Sequence, residues 1–478
     1  MKGLIYTRGY RMKNDRLSST GIGVTFASRQ LVGCHMGDLE NELGGSVMRP
    51  TCVRKVFPRV IILLIVATLI TPPPSFGYGA FTHEAIIEVS WKTTIVPALL
   101  KRFPNATEEQ LQEARSYAFG GALIQDMGYF PFLNKFFSDL LHYVRTGDFI
   151  EELIRQSSDL NEYAFALGAM EHYAGDSTGH PVATNRSIPI YYPKLQKKYG
   201  DVITYEQKKS AHSQTELGFD VVEVAAKVYR GDIYSSLIEF NVPNSLLQRA
   251  FKTTYGLDLK ELFDDLDSAI EKYQRTLTRN IPRLTMVAWK LKKDEIIAQN
   301  PQITDKDFVY RYTIPKERRE QAGRQRKSAS AFDNTLGFLA GILIKFHLLK
   351  PLNFRVPTKE TEKLFQDGIL ATRDLYKKLL ADAENGTLKL ENLNLDTGRL
   401  TRPAEYRLAD ATYAKLLEKL EKDHFRGVTP ELRANILAFY ADPTTPVATK
   451  FNKEQWKTTM RDLEELKAMT KDANRATE

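Results

Sequence analysis

The chain has 478 residues, 42% of them hydrophobic and 10% aromatic, a composition that excludes a disordered or fibrous protein and allows two or three packed domains. Its formal net charge of +8 would suit an anionic partner, yet residues 1–77 hold ten Lys/Arg against four Asp/Glu, leaving 57 basic and 55 acidic residues beyond Gly77. The basicity belongs to the leader, which weakens the case for a nucleic-acid binder.

Residues 1–47 show no clear periodicity and read as an upstream extension, as from a start assigned too early. Residues 48–77 follow the three-part plan of a secretory signal peptide: a basic flank (MRPTCVRKVFPR), eleven apolar residues from Val60 to Ile70, and a Pro-rich stretch ending in small residues. A membrane-spanning helix needs about 20 apolar residues, so an uncleaved anchor is the lesser alternative. With Ser75 and Gly77 at the minus-three and minus-one positions, cleavage leaves Tyr78 as the amino terminus of a secreted or periplasmic protein. Both cysteines, Cys34 and Cys52, precede the cut, so neither disulfides nor thiolate metal sites are expected in the exported form.

Beyond Tyr78 apolar residues recur at three- and four-residue spacing, which predicts an all-α protein. Helices are expected near 81–103, 107–127, 131–147, 150–178 and 205–230, the second capped by Thr107 with Glu108 and Glu109 in its first turn. The pattern continues at 257–297, 330–349, 358–384, 403–422, 429–441 and 452–472. LKLENLNLD at 388–396 alone alternates like a strand and reads as a hairpin arm or a loop. A break near 241–256 divides the chain into two helical regions, 78–245 and 246–478, the second of unassigned role. PKERREQAGRQRKSAS at 315–330 is the one basic run, read as solvated surface or a headgroup-binding patch. Asn105, Asn185 and Asn385 each begin an Asn-x-Ser/Thr acceptor.

Five of the seven histidines beyond Gly77 fall between residues 83 and 212. EHYAGDSTGH places His172, Asp176 and His180 at four-residue steps, one row on a helix. Eight residues at about 1.5 Å rise separate the two histidines by about 12 Å, too far to share one zinc, which holds nitrogen at about 2.0 Å. Two or more ions with Asp176 between them are the economical arrangement. AHSQTE repeats the pairing with His212 and Glu216, while His142, Asp126 and His83 add two imidazoles and a carboxylate, donors that suit zinc.

In ligand order, residues 78–216 resemble the zinc-dependent phospholipase C family, which is structurally akin to the fungal zinc-dependent single-strand nucleases. YGAFTH is similar to the nuclease opening Trp-Gly-x-x-x-His, with Tyr78 for tryptophan. The resemblance implies an all-helical fold and three zinc ions. Asp126, His142, His172 and Asp176 would hold the first, and His180, His212 and Glu216 the second. Tyr78, through its terminal amine and carbonyl, His83 and the shared Asp176 would hold the third. Asp126 would also be the catalytic base. Glu216, where the nucleases carry aspartate, favours lipid over nucleic acid.

The spacing His-x3-Asp-x3-His is shorter than in the bacterial phospholipases and fungal nucleases and is similar to that of glycosylphosphatidylinositol-specific phospholipase D. The 31 residues between His180 and His212 form an insertion that reads as a lid or a source of substrate contacts. The expected activity is hydrolysis of a phospholipid to diacylglycerol and phosphorylated headgroup at a membrane surface. The alternatives are a single-strand nuclease using Tyr129, Phe130 and Tyr191 for base stacking, and an inactive zinc-binding surface or interaction protein.

Overall fold

A computed structural model of the chain describes residues 79–225, 239–301, 303, 352–442, 444–445, 447 and 452–475. The leader, Tyr78, the basic run at 315–330 and the helix expected over 330–349 lie outside these. The fold is all-α. α1 (Ala80–Ser90) continues through a π-helical turn, Trp91–Ile95, into α2 (Val96–Arg102). α3 (Glu108–Gly121) begins with a capping box, in which Thr107 accepts from the Gln110 N–H and Gln110 accepts from the Thr107 N–H. It ends six residues before the expected 127, and Asp126 lies on a separate 3-10 turn, Ile124–Tyr129.

α4 (Lys135–Tyr143) and α5 (Thr146–Gln156) meet at a corner where Arg145 is left-handed, with φ 50°. The single helix expected over 150–178 is two. α5 ends at Gln156, and Asp159 opens α6 (Leu160–Gly179) by accepting from the Glu162 N–H, a local bond that competes with helix continuation. The stretch read as an insertion is also helical. A π-turn, His180–Thr184, leads into α7 (Asn185–Tyr191) and α8 (Pro193–Tyr199). Ile188, Ile203 and Ala211 pack together there, and Tyr191 donates to Thr361 Oγ1 at 2.6 Å, fastening the insertion to the body. α9 (Lys209–Ala225) follows.

The break expected near 241–256 contains a helix, α10 (Asn244–Tyr255), whose Leu247, Ala250 and Phe251 enter the same core as residues before it. The sequence division near 245 therefore does not separate two cores. α11 (Leu266–Arg275) and α12 (Ile281–Gln299) flank a second π-turn, Thr276–Asn280. α13 (Lys359–Glu384) is capped by Thr358. β1 (Leu393–Asn394) and β2 (Arg399–Leu400) pair antiparallel, so the alternating stretch at 388–396 becomes a two-residue hairpin arm within a loop. α14 (Arg407–Lys422), α15 (Pro430–Phe439) and α16 (Lys453–Arg475) complete the described helices, of which none is long and apolar enough to cross a membrane. Asn105 and Asn385 are exposed, whereas Asn185 is buried.

α6 is the axis of this arrangement, with α3 and α13 against it. Gly121 and Gly168 set the α3–α6 approach: a Cβ on Gly168 would lie 2.0 Å from the Ala118 carbonyl oxygen, and one on Gly121 would lie 2.0 Å from that of Phe165. α13 is tied to α6 by Tyr376, which donates to Leu167 O at 3.0 Å. Gly168→Ala sets a helix-propensity gain of about 1 kcal/mol against backbone displacement costing about 1–3 kcal/mol. The clash involves a carbonyl that no rotamer can move, so a lower thermal unfolding midpoint by circular dichroism is expected; an unchanged or higher midpoint would refute the close approach.

Candidate metal centre

Asp176 is fully buried and faces imidazoles on two sides. Its Oδ2 lies 3.3 Å from His172 Nε2 and 3.4 Å from His142 Nε2, and its Oδ1 lies 3.3 Å from His83 Nε2 and 3.6 Å from His180 Nε2. Asp126 Oδ1 is 3.4 Å from His142 Nε2, whose own distance to His172 Nε2 is 3.4 Å. On the far side Glu216 Oε1 lies 3.4 Å from His180 Nε2 and 2.5 Å from His212 Nε2. The α6 row therefore divides around its carboxylate: His172 meets one oxygen, and His180, on the turn beyond the helix, meets the other.

The opposite ring nitrogens are held from behind. His172 Nδ1 meets Ala122 O at 2.9 Å, and His142 Nδ1 meets Ser138 O at 2.7 Å. A carbonyl oxygen only accepts, so both Nδ1 atoms carry the hydrogen, and in the neutral rings Nε2 presents a lone pair inward. His83 Nδ1 faces both Glu171 oxygens at 3.2 and 3.1 Å, which gives Glu171 the orienting role. Gly175 makes room for this ring, since a Cβ there would lie 2.8 Å from His83 Cε1.

The charges on the cluster are internally opposed. Burial favours a neutral His142, but the carboxylates of Asp126 and Asp176 outweigh it and hold the imidazole up at about 10. Burial also disfavours the charged form of His83, and Glu171 with Asp176 again prevails, raising it well above its ordinary value. Around His180 and His212 burial wins, lowering them to about 4 and about 3. Burial and the neighbouring Asp176 and Asp126 push the Glu216 carboxyl well up.

The donors fit zinc on geometry and chemistry. Bonds of about 2.0–2.1 Å in a tetrahedron put neighbouring ligand atoms roughly 3.3–3.4 Å apart, the spacing seen between the His142 and His172 nitrogens and from each to a carboxylate oxygen. His180 Nε2 and Glu216 Oε2 are buried without a hydrogen-bond partner, as expected of atoms meant for a cation. Three sets each offer ligand atoms mutually within 4.8 Å: His83, His172 and Asp176; Asp126, His142 and His172; and His180, His212 and Asp396.

The structure thus brings together His83, Asp126, His142, His172, Asp176, His180, His212 and Glu216, while Tyr78 lies outside the described residues. Asp396 went unread in the sequence: it stands 180 residues beyond Glu216 in a loop, where spacing carries no signal. Phe130 is buried and stacked on Tyr273, which removes it as a platform for nucleic-acid bases.

Neither the search of curated proteins nor that of solved structures gives a match. The five clustered imidazoles, with Asp126, Asp176 and Glu216, all fall inside residues 82–265, and that stretch matches the model of the zinc dependent phospholipase C family.

Proposed function

We propose that the chain is an exported, three-zinc phosphodiesterase of phospholipase C type that hydrolyses phospholipid to diacylglycerol and a phosphorylated headgroup. The observation carrying this reading is the convergence of five imidazole Nε2 atoms on Asp176, Asp126 and Glu216 inside the family-matched stretch. Asp126, His142, His172 and Asp176 would hold one ion, and His180, His212 and Glu216 a second. His83, Asp176 and the terminal amine and carbonyl of Tyr78 would hold a third, which makes cleavage before Tyr78 part of site assembly. Zinc, when bound, neutralises phosphate charge and lowers the pKa of water so that hydroxide is accessible near neutrality.

Asp126 would act as general base. It is fully buried at the His142 edge of the cluster, where its carboxylate can orient a water toward phosphorus and take its proton. Attack breaks the phosphorus–oxygen bond to glycerol, and diacylglycerol leaves with a proton on that oxygen. The surroundings of the site favour a lipid surface as substrate. Phe132 is 74% exposed and Val202 50% exposed, three residues from Tyr129 and Tyr205 respectively. The Tyr129 ring lies 5.1 Å from His142, the Tyr205 ring 5.4 Å from His212, and Lys135 and Lys209 sit over these two tyrosines. Exposed apolar side chains beside lysines suit insertion among anionic headgroups.

Chelator-sensitive release of phosphorylated headgroup from mixed phospholipid vesicles by protein starting at Tyr78 is the expected activity, and Asp126→Asn should lower it by about 10²–10⁴-fold. Cleavage of single-stranded DNA without lipid turnover would move the protein to the nuclease branch, and zinc binding without either activity to a binding role. Phe132→Ser should reduce turnover on vesicles several-fold while sparing a soluble short-chain phospholipid; equal loss on both would refute an interfacial role. Zinc must displace a proton from His142, held up at about 10, with His83 and Glu216 raised in the same direction, but none from His180 and His212, which burial lowers to about 4 and about 3. Titration calorimetry at pH 7.5 in buffers of different ionisation heat should therefore show release of about one to three protons and weaker binding as pH falls. Proton-neutral binding would contradict these charge states.

A further inference from the structure

Asp396 lies outside the family-matched stretch, on the loop between α13 and α14, yet its carboxylate is buried against the second imidazole pair. Its Oδ1 is 3.6 Å from His180 Nδ1 and 3.9 Å from His212 Nδ1, the nitrogens facing away from Glu216. Among the described residues neither buried Nδ1 atom has a hydrogen-bond partner. Tyr406 and the Tyr205 N–H donate to Oδ2 at 2.6 and 2.9 Å, and Asn185 donates to Oδ1 at 3.2 Å. Three donors fix the carboxylate and leave Oδ1 able to accept again on the imidazole side.

The loop itself is fastened to the helices that carry the site. Leu395 N donates to the carbonyl of His142 at 3.0 Å, and Asn392 Oδ1 accepts from Gly147 N and Asp148 N at 3.1 Å. Gly398, with φ 65°, fits so closely that a Cβ would lie 2.3 Å from Ser177 O. These bonds set where Asp396 stands independently of the imidazoles.

We propose that Asp396 is a positioning residue for the second zinc site: in the zinc-loaded protein its Oδ1, 3.6 and 3.9 Å from the two Nδ1 atoms here, closes to accept from Nδ1–H of His180 and His212 and keeps both Nε2 lone pairs turned toward Glu216. Among the described residues no backbone carbonyl stands behind these two rings of the kind that serves His142 and His172, and Asp396 takes that place. The C-terminal region thereby supplies part of the metal centre, an assignment that rests on the three-zinc reading of the site.

The test uses the protein starting at Tyr78, labelled with ¹⁵N-histidine, as wild type, Asp396→Asn and Tyr406→Phe. In zinc-loaded wild type, His180 and His212 should show protonated Nδ1 and metal-bound Nε2. Asp396→Asn should lose this pure tautomer and weaken the most readily removed zinc by about 10–100-fold in chelator competition, with helical content unchanged. Tyr406→Phe, which keeps the carboxylate, should give a smaller loss in the same direction and serves if the asparagine variant fails to fold. Wild-type zinc affinity and tautomers in Asp396→Asn would overturn the proposal, as would Nδ1-bound metal in the wild type, which would make Asp396 a ligand. A wild-type protein that binds no zinc would overturn the three-zinc reading together with this one.

Discussion

Five carboxylates, Asp126, Glu171, Asp176, Glu216 and Asp396, are buried beside five imidazoles, and in the described ion pairs each faces histidine rather than lysine or arginine. Burying an ionised carboxylate without adequate compensation costs several kcal/mol, and protons shared with imidazoles compensate only in part. Hence the opposed charges: His83 and His142 are driven toward the charged form, while His180 and His212 are driven away from it. Multivalent cations at the three donor groups would satisfy these members together. The helices are arranged to meet this constraint, with α6 supplying the central carboxylate and its neighbours presenting nitrogens from several directions.

Orientation matters as much as proximity. A neutral imidazole offers metal one lone-pair nitrogen, and a partner on its N–H fixes which one; the fold supplies such a partner directly for His83, His142 and His172. Backbone carbonyls serve His142 and His172, and Glu171 serves His83. The Ala122 carbonyl reaches His172 because α3 ends one residue earlier, at Gly121, where α3 lies directly against α6. Glycine at a helix crossing and hydrogen placement on a ring are thus two ends of one local design.

The candidate donors were legible in the sequence because four-residue spacing on a helix is a geometric statement in itself. His172, Asp176 and His180 form a row before any tertiary contact exists, and so do His212 and Glu216. The holders were less legible. Ala122 and Ser138 act through backbone oxygens, which every residue possesses, and Asp396 reaches the site only through the folding of a distant loop. Helix existence was similarly easier to read than helix ends: Asp159 could be recognised as a cap only once its bond to Glu162 N was visible, and the helix at 244–255 lay in a stretch whose Pro and Asn residues resemble a linker.

The cluster joins positions 83 and 396, most of the described chain, through side chains alone. With both cysteines confined to residues before 53, the region from Tyr78 onward has no covalent staple to restrict its unfolded ensemble. Cations held by this cluster would act together as reversible crosslinks, limiting the open chain as a disulfide does. Their binding free energy is then also folding free energy. The metal centre would double as the clasp of the molecule, tying its mechanical integrity to metal supply rather than to redox conditions.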